Sequence, residues 1–252
     1  MRVFSVPLVV SLLVAFAITQ LANVVTTLYL HRALSHRAMT LKPGVEHVMR
    51  VVLWLTLGID RREWVAVHRK HHVFSDEPQD PHSPIQRGVW TVTFGNVGLY
   101  RREAKRPETV ATYARDLVPD RAERLLFSHG LLGLGLGVAL LVVLFGPVSA
   151  AVIGVVHFVL YIFLSGCVNG LGHWYGRRPH DNKATNQRWL ALLTGGEGMH
   201  NEHHEYPRSP YFGSTRWDLG GGMVRLLSKL HLVVVHESSR FSRDREPIPV
   251  AG

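Results

Sequence analysis

Three long apolar stretches constrain the fold of this chain more than any other feature of its sequence. They cover residues 3–30, 125–145 and 148–168, and only Gly146 and Pro147 separate the last two. About 20 consecutive apolar residues cross the hydrocarbon core of a bilayer as a helix, so each stretch qualifies as a transmembrane span. The Gly-Pro pair predicts a tight turn that joins the second and third spans into a helical hairpin. The sequence therefore predicts an all-α, multi-pass integral membrane protein.

The remaining segments are polar and basic. Residues 31–124 and 169–252 hold nearly all of the 28 arginines and lysines, which outnumber the 19 acidic residues. The positive-inside tendency assigns both segments, and with them the C-terminus, to the cytoplasm. A shorter apolar stretch, residues 51–59, cannot span and predicts a helix that lies in the interface or packs against the spans. No helix-turn-helix or zinc-finger pattern appears, so we expect no nucleic-acid partner.

Sixteen histidines are many for 252 residues, and three clusters of them carry the functional argument. The single cysteine, Cys167, excludes an internal disulfide and a thiolate metal site. The clusters are HxxxxH at residues 31–36 and HxxHH at residues 68–72 and 200–204. Residues four apart share a helix face, so the outer histidines of each HxxHH can reach one metal ion while the middle one serves a neighbouring ion. Five residues do not close an α-helical turn, which predicts that the chain unwinds within residues 31–36.

By the predicted topology, all three clusters lie on the cytoplasmic side, where they can form one site. Imidazole suits Fe, Cu, Zn and Ni, so the ligands alone leave the metal open. A structural zinc ion takes four ligands, and eight imidazoles are too many for one such site. Two redox metals with open positions would suit O2 activation and attack on an unactivated C–H bond. An acyl chain at the membrane face is the obvious substrate.

Four segments, in this order, resemble the membrane fatty-acid desaturase family, in particular its Δ9-type, stearoyl-CoA desaturase-like members. The segments are HRALSHR, HRKHHVFSDEPQDPHS, NGLGHWYGRRPHDN and GGEGMHNEHHEYP, and the likeness covers roughly residues 20–220. The resemblance implies a single domain over residues 1–252, with about three transmembrane helices, an interfacial helix and a cytosolic helical cap that holds a di-iron histidine site.

The family's ligand residues are carried over position by position. The resemblance implies that one iron is bound by His31, His36, His68, His72 and His203. It implies that the other is bound by His71, His173, His200 and His204, with Asn169 holding a water molecule on one iron. His82, Asp80 and Glu197 are expected to orient these ligands from behind, since metal-bound histidines are commonly held by such partners.

The implied activity is an O2-dependent fatty-acyl desaturase that uses two Fe(2+) ions and inserts a cis double bond, at Δ9, into a saturated acyl chain. Two electrons must come from outside, because the chain carries no flavin, haem or iron–sulfur motif. The expected donor is a ferredoxin or a cytochrome b5-like protein with its reductase. Membrane lipid is the other expected partner.

The identity of the acyl carrier stays open at this stage. Acyl-CoA enzymes of the family carry Trp-Ala-Arg-Asp before HxxHH, whereas this chain has Trp64-Val65-Ala66-Val67, and it lacks their extra span before the first cluster. The predicted substrate-binding residues are Trp64, Arg101 and Arg102. Arginine forks suit the phosphate oxygens of CoA and of anionic lipid headgroups alike, so these residues do not separate the two carriers. With Arg101 and Arg102 as phosphate contacts, we favour acyl-CoA over acyl-lipid.

Two other functions remain as alternatives. A related di-iron lipid or alkane hydroxylase would have a similar histidine site. A metal transporter would need polar ligands within its spans, whereas these clusters lie at or beyond the span ends. Chain length, double-bond position and oligomeric state are not determined by the sequence.

Overall fold

The computed structural model describes residues 6–213 and 216–236; the predicted segments at residues 3–5 and 237–252 lie outside that part. The described residues are mainly helical. The helices are α1 (Leu8–Val25), α2 (Pro43–Thr56), α3 (Arg61–Val73), α4 (Pro84–Arg87), α5 (Val89–Ala104), α6 (Pro107–Tyr113), α7 (Gly130–Phe145), α8 (Pro147–Gly170), α9 (Arg188–Leu193), α10 (His200–Glu205) and α11 (Leu219–Lys229). Two strands, β1 (Met39–Leu41) and β2 (Val233–Val235), form an antiparallel pair.

The first apolar helix and the first histidine pair form one continuous helix, Leu8–Ser35. Its α-helical part, α1, passes directly into a π-helix, Thr26–Ser35. In a π-helix each N–H bonds to the carbonyl five residues back, and the His36 N–H donates to the His31 carbonyl at 3.1 Å. The prediction that the chain unwinds between these two histidines is therefore wrong. The helix widens instead, and this brings residues five apart onto nearly the same face.

The predicted hairpin is present as α7 and α8. Gly146, between them, has φ +79°, a backbone conformation that glycine adopts without strain, and Pro147 occupies the first turn of α8. The expected start of α7 at residue 125 is wrong, because a separate π-helical turn, Glu123–Phe127, precedes it. With 16 residues, α7 is shorter than the roughly 20 that an upright span needs.

Two helices in the described part of the chain are long and apolar enough to cross a membrane. They are Leu8–Ser35, with a mean hydropathy of 2.2, and Pro147–His173, with 2.3. The second continues α8 through a 3₁₀ turn, Leu171–His173, and so extends beyond the predicted end at residue 168. A count of three spans stays a prediction.

The short apolar stretch at residues 51–59 belongs to α2, which begins earlier, at Pro43, and ends at Thr56. It packs against α7, where the backbone of α2 lies so close to Gly133 and Gly137 that a Cβ at either glycine would overlap it. Arg50, expected at the boundary of this stretch, lies inside the helix and is buried.

Two buried arginines, each next to a histidine of the predicted clusters, join distant segments. The guanidinium of Arg69 donates to the carbonyls of Leu34 (2.7 Å) and Ser35 (3.0 Å), the last residues of the π-helix. Helix ends leave such carbonyls without intrahelical partners, so Arg69 fastens α3 onto the first histidine helix. Arg32 donates to Asp218 at 2.7 Å, which attaches the segment after α10 to the same helix. These contacts fix the relative positions of the segments that carry the three histidine clusters.

Candidate metal centre

Four chain segments bring nine histidines together. They are the end of the π-helix, α3, the 3₁₀ turn after α8 and α10. The ring nitrogens form two groups, in each of which they lie within 4.8 Å of one another. The five-histidine group is His31, His36, His68, His72 and His203. The four-histidine group is His71, His173, His200 and His204.

The helical period explains how α3 and α10 each serve both groups. His68 and His72, four residues apart on α3, belong to the five-histidine group, while His71 points to the other. On α10 the arrangement is reversed, because His203 alone joins the five-histidine group. The Nε2 atoms converge within each group: the distance is 2.9 Å between His36 and His68. The grouping equals the one that the family resemblance implies, and iron binding by these residues stays a prediction.

Three carboxylates accept hydrogen bonds from the Nδ1–H groups of three histidines. Two of them, Glu197 and Asp80, were expected from the sequence. The Nδ1–H of His31 donates to Glu197 at 2.7 Å, and that of His71 donates to Asp80 at 2.9 Å. The rings thereby keep their Nε2 lone pairs turned toward the groups. Burial alone would raise the pKa of Glu197 and of Asp80, but the imidazole beside each carboxyl lowers both pKa values below their usual range. These contacts are consistent with the expected role of Glu197 and Asp80, which is to orient histidines of the two groups.

Asp76 is a candidate functional residue that the sequence reasoning missed. It accepts a hydrogen bond from Nδ1 of His173 at 2.8 Å, although 97 residues separate the two in sequence, and the Ser83 hydroxyl donates to its other oxygen. Both His173 and Asp76 are buried. The only signal available in the sequence was the repetition of aspartate at positions 76 and 80, next to the second histidine cluster.

The remaining expected partner, His82, does not orient a ligand through a hydrogen bond in the described residues. Its ring stacks on that of His71, with centroids 4.6 Å apart, and both of its ring nitrogens are buried without a partner there. Burial, with the neighbouring His71, lowers the pKa of His82 to about 3, so the ring is neutral.

The donor set fits metal ions. The Nε2 atom of His173 is buried and lacks a hydrogen-bond partner among the described residues. Burial and neighbouring imidazoles hold the pKa of six further histidines of the two groups well below the usual value, so these rings are neutral at pH 7. The six are His36, His68, His72, His200, His203 and His204. Neutral imidazole is the form that ligates metals, and a cation relieves the repulsion between lone pairs that face one another. Each group thus suits one imidazole-binding ion such as iron.

Comparisons with known proteins agree with this geometry. The family model described as fatty acid desaturase matches residues 5–214, most of the chain. The chain belongs to the fatty acid desaturase family. This is a family of oxidoreductases that use iron, and the sequence-based recognition of it is confirmed.

Two curated relatives show the range of this family. The chain is 35% identical over 227 residues to the acyl-CoA C20 Delta5-desaturase of Anemone leveillei, covering 87% of this chain and 71% of that protein. It is 29% identical over 211 residues to the sn-1 stearoyl-lipid 9-desaturase of Synechocystis sp., covering 82% of this chain. The matched part makes up 65% of the Synechocystis protein's length.

A cavity of about 90 Å³ adjoins both histidine groups of this desaturase-family chain. Trp64 lines it and stacks on the ring of His68, with centroids 5.0 Å apart and an interplanar angle of 14°. Asn169 also lines it and donates to Asn96 Oδ1 at 2.9 Å. This bond uses the side-chain N–H of Asn169 and leaves its side-chain carbonyl oxygen available to accept another hydrogen bond. The other lining residues are Asn23, Thr26, His31, Val67, His68, His82, Asn96, Tyr100, Tyr161, Ser165, Val168, Thr194, Glu197 and His200.

Arg101 and Arg102 do not line this cavity. Both are exposed in the last turn of α5, directly after Tyr100, which does line it. Arg101 also lies close enough to Glu63 to oppose the rise in the pKa of that carboxyl that burial and Asp60 cause. The two arginines therefore stand near the cavity without entering it.

Proposed function

We propose that this chain is an O2-dependent desaturase that inserts a cis double bond, at the Δ9 position, into a saturated fatty-acyl chain with a di-iron centre. The observation that carries the proposal is the pair of histidine groups beside the cavity. His71 and His72 are consecutive residues of different groups, and their ring centroids are 5.4 Å apart, so ions in the two groups would be neighbours. Iron bound there would supply electrons for O2 reduction and the oxidising power to break two adjacent C–H bonds.

The residues around the groups orient the imidazoles and exclude water. Glu197, Asp76 and Asp80 accept the outer N–H of one histidine each, which fixes the direction of its Nε2 lone pair. Phe212 is buried against the rings of His31 and His203, at centroid distances of 5.6 and 4.7 Å. This apolar wall on the five-histidine group would protect a strong oxidant from side reactions with solvent. Asn169 is proposed to hold a water molecule through its carbonyl oxygen.

The substrate is proposed to lie in the cavity that both groups border. Curated relatives support an acyl substrate, since one is named for stearoyl-lipid and another for acyl-CoA. Trp64, stacked on His68, would form the wall against which the acyl chain rests.

Acyl-CoA is the carrier that we favour. Arg101 and Arg102 are exposed beside the cavity-lining Tyr100, and guanidinium groups bind phosphate oxygens bidentately. Ala66 and Val67 are buried and apolar, so they offer no charge to the carrier. Acyl-lipid is the competing carrier, and supplying the purified enzyme with stearoyl-CoA or intact phospholipid separates the two.

We further propose three spans, with the metal centre and the C-terminus in the cytoplasm. The α7–α8 hairpin then places Gly146 on the opposite side of the membrane from the histidines. A reporter fused after Gly146 should be located outside, and one fused after Arg243 inside.

The exposed arginines of the cytoplasmic face would bind an acidic electron donor, such as a ferredoxin or a cytochrome b5-like protein.

Expression in a host without its own desaturase, followed by mass analysis of the fatty acids, tests the reaction. Loss of two hydrogens, with the double bond located at carbon 9 by derivatisation, is the expected result. Gain of one oxygen atom would instead show a hydroxylase. The His204→Ala variant is the matched control for host enzymes. Iron-loaded protein that forms neither product with a ferredoxin or with a cytochrome b5-like donor would refute both the desaturase and the hydroxylase.

A further inference from the structure

One face of α11 is apolar and exposed. Four large side chains form a stripe along this face, and each of them is between 37% and 57% exposed: Leu219, Met223, Leu226 and Leu230. Their spacing of four, three and four residues places them within about 60° of one another around the helix. A contiguous apolar surface of this kind indicates contact with lipid or with another protein surface.

The circumference of α11 divides into three faces, of which the stripe is one. Val224 lies on the second face and is fully buried in the main hydrophobic cluster. Arg225 and Lys229 lie on the third face, and both are exposed. At about 100° per residue, the three faces are about 110–130° apart. A helix that packs on protein with one face, and separates apolar from basic side chains on the other two, is typical of a membrane surface.

The two candidate spans start side by side, which gives a common reference for depth in a membrane. The Val6 N–H, two residues before the first span, donates to the Ser149 hydroxyl in the first turn of the second at 3.1 Å. The hydrocarbon core of a bilayer is about 30 Å thick, and an α-helix rises about 1.5 Å per residue. Val24 follows Leu8 by 16 residues, so it lies about 24 Å along the first span. This depth is inside the core and close to its boundary on the metal-centre side.

The first turn of α11 is attached at this depth. The Gly220 N–H donates to the Gly195 carbonyl at 2.9 Å. Gly195 in turn lies against the first span, where a Cβ would be 3.0 Å from the side chain of Thr27 and 3.7 Å from the Cα of Val24. The apolar stripe therefore begins beside the boundary of the hydrocarbon.

The other end of α11 is attached to the same part of the first span. The Leu232 carbonyl, three residues after α11, accepts a hydrogen bond from the N–H of Lys42 at 3.0 Å. Lys42 caps α2, and Glu46 in the first turn of α2 accepts a hydrogen bond from the Tyr29 hydroxyl at 3.2 Å. Because Tyr29 follows Thr27 by only two residues, each end of α11 is joined through one neighbouring segment to the same turn of the first helix.

The exposed apolar surface continues on α9, which ends two residues before the glycine that binds α11. Trp189 and Leu192 of α9 are 47% and 40% exposed. The helix packs against Leu164 of the second span, and the carbonyl of its last residue, Leu193, accepts a hydrogen bond from Asn23 of the first at 3.0 Å. Both contacts lie within the candidate spans, so the exposed side chains of α9 would face lipid.

We propose that α11 lies on the membrane surface on the metal-centre side. Its apolar stripe lies among the acyl chains, and Arg225 and Lys229 contact the phosphate groups of lipids. The contact depends on the two spans and not on the reaction, so protein without desaturase activity would still make it.

Lipid fits this surface better than a protein partner does. The apolar and basic faces match the two layers of a membrane interface, and the basic face complements anionic headgroups. An acidic electron donor would bind the basic face and leave the stripe in water. Residues 237–252 of the chain hold three arginines and three acidic residues among sixteen, so they offer little apolar surface to cover the stripe.

Nitroxide labels on adjacent residues of different faces test the proposal in the bilayer-reconstituted protein. The pairs are Arg225→Cys with Leu226→Cys and Lys229→Cys with Leu230→Cys, and each pair compares two faces at one level of the helix. The ratio of collisions with lipid-soluble O2 to collisions with a water-soluble nickel chelate should be severalfold higher at positions 226 and 230 than at 225 and 229. Met223→Cys should repeat the result of position 226, because both lie on the stripe.

Two controls separate the position of α11 from the existence of the spans. Val159→Cys, an exposed position within the second span, reports contact with lipid. Wild type treated with the label measures the background from the buried Cys167. A high ratio at position 159, with equal low ratios at 225 and 226, would refute the position of α11 and leave the spans intact. Low ratios at all positions, including 159, would refute the spans and with them the proposal.

Protection of the stripe would also overturn the proposal. Protection of position 226 from both reagents would mean that protein covers the stripe in place of lipid. Dipolar broadening at position 226 that disappears on dilution with unlabelled protein would identify that cover as a second copy.

Discussion

The five-histidine group and the four-histidine group are held in place by different kinds of support. The four-histidine group is supported by two buried aspartates, Asp76 and Asp80, from the short loop that follows α3. Among the described residues the five-histidine group has one carboxylate contact, Glu197, and it is otherwise supported by Phe212 and by the π-helix to which Arg69 binds. The loop is therefore part of one candidate metal site, whereas the other candidate site depends on helix geometry. Each prediction below tests one of the two histidine groups or a residue that lies outside both of them.

The largest effect is expected from removing one proposed ligand of either group. Alanine at His68 or His72, in the five-histidine group, or at His200 or His204, in the four-histidine group, should abolish desaturation. Each loss leaves too few imidazoles for one ion and lone pairs without a cation in a buried site. Iron per chain should fall from about two, and His47→Ala, an exposed imidazole of α2 outside both groups, is the control. One zinc ion and no iron in active protein would refute the di-iron proposal.

The carboxylates should produce smaller and selective losses. Asp76→Asn keeps the shape of the side chain, and asparagine tolerates the left-handed backbone at this position, φ +63°. Loss of the charge behind His173 should weaken iron binding in the four-histidine group by about 10- to 100-fold, the usual range for such partners. Glu197→Gln should do the same for the five-histidine group through His31.

Chelator titration that follows the loss of each iron measures this selectivity. In Asp76→Asn one iron should leave early and the other at the wild-type chelator concentration, and in Glu197→Gln the order of the sites should be reversed. Spectra of the half-loaded proteins identify which group is filled. Simultaneous loss of both irons in both variants would mean that the two groups are coupled, which would abolish the contrast between them.

The Asn169→Ala variant tests a residue that lines the cavity without belonging to either histidine group. If it holds a water molecule, Asn169→Ala should lower turnover by much more than it lowers iron content. His173→Ala, four residues further on, should lower both together, because its Nε2 faces the four-histidine group directly. Equal iron loss in the two variants would show that Asn169 supports the metal itself.

The smallest effect is expected outside the centre, at Arg101 and Arg102. Exposed ion pairs contribute about 0.2–1 kcal/mol each, so the double alanine variant should raise KM for stearoyl-CoA by about 2- to 30-fold and leave kcat unchanged. The difference should shrink as salt concentration rises. Arg115→Ala/Arg121→Ala, which removes the same charge from exposed positions, is the control. An unchanged KM, or desaturation of phospholipid alone, would contradict acyl-CoA as the carrier.

Local rules of the sequence determined much of this protein. The apolar stretches and the Gly-Pro turn predict the helices at both sides of Gly146, and the structure has them. The spacing of each HxxHH determines which histidines share a face, because the helical period acts over four residues and needs no distant partner. Asp80 lies only nine residues from His71, within reach of the same short loop.

The tertiary structure alone decided the features that depend on distant contacts. The π-helix follows no rule of spacing, and it is completed by Arg69, 34 residues beyond Ser35. Asp76 acquires its role from His173, which the packing of α8 brings to it. The position of α5 likewise depends on Gly166 and Gly170 leaving room for Thr93. In each case the stabilising free energy comes from burying groups that are far apart in sequence. No local sequence pattern therefore predicts the feature.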